Sequence, residues 1–258
     1  MVKKTELHVS NCGFNHDLVD SFVTSQWQSK SRNTFYLIYR WCFAAFVTCV
    51  FVISLYAHVQ GTNNFGKFFI YITRWGLMIN LIVGIYGALL VTLWHFCDEY
   101  RDGIQTKQTI PRKFQVYWAL HTVALELSFV ITIVYWSILY DHDDSIDLPN
   151  ILAHIMNSVI MFLDFLIIGF PMRLYHVIQL IFFGVCYAIF SYIYYICGGH
   201  NAKGKPYIYR VLYWKDIGKA STTVFGVITL GIIIHFVLFW IYKLRVFIRR
   251  RFFTAELK

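Results

Sequence analysis

His154, Asn157 and Asp164 stand in the apolar stretch ILAHIMNSVIMFLDFLIIGF, residues 151–170, and His121, Glu126, His235 and Asn80 stand in other apolar stretches of the same chain. Imidazoles and carboxylates move protons and hold ions, and in lipid they are costly when charged and unpaired, by at least about 2.5 kcal/mol for Asp. Such residues should therefore face the interior of a helix bundle. Two readings follow. One is a polar cavity for a lipid head, an ion or a proton relay. The other is architectural: hydrogen bonds that fix which helix packs on which, at about 0.6 kcal/mol each.

Asn157, Met161 and Asp164 follow His154 at offsets that keep all four within an arc of about 80° on an ideal helix, which predicts one inward stripe. His121, Ser128 and Thr132 share a helix face, and Thr122 and Glu126 share another at i,i+4. Counting depth at about 1.5 Å per residue puts Asp164, His121 and His235 at one level and Glu126 nearer the midplane. His154, Asn157 and Asn80 then form an outer tier. Asp164 is expected to pair with His121, His235 or Arg40.

No H-x-x-x-H or H-E-x-x-H spacing is present, so the histidines do not read as a metal site, and no cofactor is expected. No G-x-S-x-G, P-loop or glycine-rich phosphate cradle occurs; CGGHNAKGKP reads as an outer loop.

The elements that must position these residues are membrane-spanning helices. The chain is 58% hydrophobic and 14% charged, with mean hydropathy +0.54, more apolar surface than a soluble fold of 258 residues can bury. Six continuous apolar windows, near 38–59, 71–96, 115–140, 150–170, 174–197 and 222–242, each reach the roughly 20 residues a helix needs to cross a bilayer. The predicted fold is all-α: a polytopic bundle of about six transmembrane helices over 36–246, with a polar N-terminal segment 1–35 and a basic tail 247–258.

Lys and Arg divide sixteen to seven between alternate sides, the larger share lying with the two chain ends, the loop after the second span and Arg173. The positive-inside bias predicts cytoplasmic termini. The net charge of +9 then sits mostly against anionic lipid, worth about 1 kcal/mol per basic residue, and nucleic acid is unnecessary as a partner. Cys42, Cys49 and Cys186 fall inside spans, Cys12 and Cys97 on the reducing side, and Cys197 alone approaches the outer face, so no disulfide framework is expected.

Several stretches together resemble the Rolling stone family of multi-pass membrane proteins: SQWQ, YLIYRW, YWSILY, ILAHIMNSVIMFLDFLIIGFPMRLYHVI, YRVLYWKDIGKA and YKLRVFI. That resemblance implies a plasma-membrane role in myoblast fusion, a cell-cell process without assigned chemistry and involving membrane-protein partners; the endoplasmic reticulum is the alternative location. The chain is more distantly similar to the androgen-induced membrane proteins that hydrolyse fatty-acid esters of hydroxy fatty acids, through an N-H-x-x-H-T motif. His154 matches its first His, but the position of the second, catalytic His holds Asn157, whose amide takes up no proton near neutral pH. The expectation is a protein without catalysis of its own; the alternative is a lipid-ester hydrolase or lipid-binding protein using the polar seam.

Overall fold

The computed structural model describes residues 13, 14, 16, 19–106, 109–140 and 146–252. Among these the architecture is helical, with six helices long and apolar enough to span a membrane: Thr34–Thr62, Ile72–Phe96, Arg112–Leu139, Leu148–Ile167, Leu174–Ile196 and Ile217–Phe252. They are called here the first to sixth spans. The chain is an integral membrane protein, and each predicted window falls on one of these helices, the window 150–170 overrunning its helix, which ends at Ile167.

Local signals set several helix ends. The Asn33 side chain accepts the Tyr36 N–H to start the first span, and Asn63, at φ 49°, closes it with a left-handed residue. Asp147 accepts the Asn150 N–H to start the fourth, with Pro149 in its first turn. The sixth span runs beyond its apolar window to Phe252. At 36 residues it is about 54 Å long, so it emerges well past a hydrocarbon core of about 30 Å, carrying its arginines with it.

The third span is the hub, touching the second, fourth, fifth and sixth. Its buried positions run all round the helix, from Phe114 and Trp118 through Leu125 and Leu127 to Ile131, as expected of a helix surrounded by others. The peripheral spans instead turn Ile38, Ile178, Phe182, Phe225 and Trp240 outward, where lipid replaces water as the solvent.

Residues of the N-terminal segment are built into this bundle. Phe22 and Val23 are core residues, Phe22 stacking between Phe114 and Phe170. The segment closes on Gly169, where a Cβ would lie 2.8 Å from the backbone oxygens of both Ser21 and Thr24. Backbone cannot yield as a flexible side chain does, so this approach requires glycine.

Candidate functional site

The polar residues fall into three groups. The first is built on Asp164, fully buried with Arg40. Arg40 Nη1 donates to Asp164 Oδ1 at 2.6 Å and Nη2 to the Tyr117 hydroxyl at 2.7 Å. Tyr39 donates to the same carboxylate oxygen at 2.9 Å, and His121 Nε2 lies 2.9 Å from the other. A carboxylate accepting three donors from the first and third spans ties those helices to the fourth, and the Arg40 charge balances it. The guanidinium lies against the second span at Gly87, where a Cβ would overlap it.

His235 does not join Asp164, one of its expected partners. Its Nδ1 lies 2.6 Å from Glu126 Oε1 and its Nε2 2.9 Å from the Leu174 carbonyl. A carbonyl only accepts, so Nε2 carries a hydrogen, and one proton lies between Nδ1 and the carboxyl oxygen. The pair is neutral whichever partner holds that proton. The depth count put Glu126 nearer the midplane than His235; the structure brings them level.

Asn80 donates to Asn157 across the second and fourth spans, and the Thr132 and Ser158 hydroxyls meet at 3.0 Å. The Asn80 Oδ1 and Asn157 Nδ2 atoms have no partner among the described residues. Met161 is fully buried between this tier and Asp164, so Asn157, Met161 and Asp164 do form an inward line.

His154 departs from that line. Residues Leu152–Met156 form a π-helical turn, whose wider winding rotates everything before Asn157 off the face an ideal helix would give it. The His154 ring instead stacks on Tyr135, centroids 3.5 Å apart and planes 5° apart. Tyr135 itself begins a second π-turn, Tyr135–Leu139. His154 therefore lines a separate cavity of about 740 Å³ at the end of the bundle away from both chain termini.

At the opposite end, three segments form a collar absent from the sequence reading. A helix leaves its last carbonyls without intrahelical donors. At the end of the fourth span, Asp164 O accepts the Ile168 N–H. Arg245 of the sixth span donates to Phe165 O, the Trp27 indole to Leu166 O at 2.7 Å, and the Gln26 backbone and Ser25 hydroxyl to Ile167 O at 2.9 and 3.0 Å. Arg245 Nη2 reaches Phe170 O at 3.2 Å, and Gln26 Nε2 returns to Arg245 O at 3.1 Å. Both described ends of the chain thus lie on one face of the bundle. Arg245 between the apolar Leu244 and Val246 of YKLRVFI and a Trp among polar residues in SQWQ are the available signals.

The sequence that builds this site has relatives among known proteins. The family model described as Protein rolling stone matches residues 2–256. The chain belongs to the rolling stone family. Protein rolling stone of Drosophila melanogaster is 35% identical over 254 residues, which cover 96% of this chain and 91% of that protein. No solved structure matches. The stretches on which the rolling stone resemblance was read occupy the places just described: SQWQ and YKLRVFI make the collar, YLIYRW supplies Tyr39 and Arg40, and the segment from Ile151 carries Asn157 and Asp164. The hydrolase-like pattern fits less well. Asn157 bonds another amide, and His154, on its π-turn, faces a different space.

Proposed function

We propose that this chain, as a rolling stone family member, acts at the plasma membrane in cell-cell fusion of the myoblast type, through membrane-protein partners and without catalysis of its own. The observation that carries the second half of this reading is the state of the seam. Asp164, Arg40 and His121 bind one another, and Glu126 binds His235. Groups so engaged hold helices together and are not presented to a substrate.

The sixteen-to-seven charge division supports cytoplasmic termini. The collar end carries a polar cavity of about 530 Å³ whose charged lining among the described residues is Lys30, Arg249 and Arg250 against the single acid Asp20, a balance suited to anionic headgroups of the cytoplasmic leaflet. Arg40 and Arg245 do not contribute to that surface, because both are buried.

The test mixes two cell populations carrying different cytoplasmic dyes, one or both expressing the chain with tags at residues 1 and 258. The expected result is more double-labelled cells when the chain is expressed, with both tags reached by antibody only after permeabilisation. Unchanged content mixing with the chain at the surface removes the fusion reading; tag labelling on intact cells removes the orientation.

A further inference from the structure

The cavity that holds His154 is basic and has an apolar extension. Its charged lining residues are Arg74, Lys203, Lys205 and Arg210, and no carboxylate among the described residues lines it. Arg74 is the telling member. It sits in the first turn of the second span, hydrogen-bonded to the Ser54 hydroxyl and 5.0 Å over the Phe68 ring, yet it has no ion-pair partner among the described residues. A half-buried guanidinium with no counter-charge is costly, and its N–H donors other than the one on Ser54 remain to be satisfied. The neighbouring phenols do not supply the missing charge: burial raises the pKa of Tyr71 and pushes that of Tyr209 up to about 12, so both are neutral at pH 7.

Two imidazole nitrogens add to the polarity of the wall. His58 Nε2 and His154 Nδ1 are buried with no hydrogen-bond partner among the described residues.

A second cavity of about 100 Å³ adjoins this one. The two share Thr73, Tyr135, Leu139, Tyr209 and Val211 as lining. Beyond those residues the second is walled by Val130 and Val134 of the third span, Gly184 and Ala188 of the fifth, and Val227 and Ile228 of the sixth. A cationic chamber sharing a wall with an aliphatic crevice between helices matches one kind of molecule: an anionic head on a hydrocarbon chain.

We propose that this end of the bundle binds a single-chain anionic amphiphile, its carboxylate or phosphate on Arg74 with Lys205 and Arg210 around it. The first methylenes of its chain enter the crevice between the third, fifth and sixth spans. The crevice volume limits the enclosed part of the chain to a few methylenes; the remainder leaves between helices into the bilayer.

The full-length protein, in nanodiscs of phosphatidylcholine, is titrated with radiolabelled oleate and oleoyl lysophosphatidate, with monoolein as the uncharged chain and inorganic phosphate as the chainless anion. Saturable binding of oleate or lysophosphatidate is expected, and which of them binds tells a carboxylate head from a phosphate. Binding should fall at least tenfold in Arg74→Gln and in Ala188→Phe, which fills the crevice, and monoolein and phosphate should bind at least tenfold more weakly. Because Arg74→Gln could impair folding, the surface pair Lys205→Glu with Arg210→Glu provides a variant on exposed residues and should also weaken binding. Equal binding of monoolein, full competition by phosphate alone, or no effect of the Lys205/Arg210 pair overturns the proposal. So does an absence of saturable binding of both oleate and lysophosphatidate, and if replacing Asp141, Asp143 and Asp144 with Asn relieves it, the chain's own acids are the counter-ion.

Discussion

Asp164→Ala is expected to abolish most folded protein. The substitution leaves Arg40, which is fully buried, with a charge and no counter-ion, and breaking a buried pair from one side costs about 3–5 kcal/mol. Tyr39 and His121 lose their acceptor as well, and an unsatisfied buried donor adds about 1–3 kcal/mol. Size-exclusion chromatography in detergent should show the monodisperse peak largely lost, and any remainder should melt well below the parent. Asp164→Asn should be nearly as damaging despite its shape, because the charge is what Arg40 lacks. Replacing both partners, as Arg40→Met with Asp164→Leu, should be milder than Asp164→Ala alone, since no charge is then stranded. If the double replacement is as harmful as the single one, the pair matters for something other than mutual neutralisation.

Arg245→Met is the second large effect. This side chain gives the Phe165 and Phe170 carbonyls their donors, and each orphaned carbonyl costs about 1–3 kcal/mol. Methionine keeps the apolar stem and the volume, so the loss isolates the hydrogen bonds. Because the Arg245 backbone also receives Gln26, the collar should loosen locally before the bundle unfolds. Limited proteolysis should cut within residues 19–31 faster in Arg245→Met than in the parent, with the six spans still intact on the gel. Arg245→Lys, with a single ammonium in place of the fork, should fall between them. Unchanged cleavage would show that the N-terminal segment is held by Phe22 and Val23 alone.

The six spans were legible because bilayer thickness sets a length scale that composition alone reveals. The Asn157–Met161–Asp164 line was legible too, since an unbroken helix repeats on one face. His154 was not, because a π-turn inserts its extra residue without any sequence signal as plain as a proline. The exchange of His235 from Asp164 to Glu126 reflects a depth count that treats every span as upright and ideal, whereas a few ångströms of tilt decide between neighbours one turn apart. The collar escaped because its donors come from residues 25–27 and 245 and its acceptors are backbone carbonyls, and backbone acceptors look alike in any sequence.

The central claim is that the buried polar residues hold the bundle together and perform no hydrolysis. The direct measurement is turnover of fatty-acid esters of hydroxy fatty acids by the purified, folded protein, with fluorophosphonate labelling of the same sample. The account predicts release of fatty acid no faster than in protein-free nanodiscs, no labelled serine or threonine, and no gain from Asn157→His, whose position opposes the Asn80 amide and not a hydroxyl. Hydrolysis by the unmodified protein that disappears in His154→Ala, with the chromatographic profile unchanged, would contradict it and make His154 a working base.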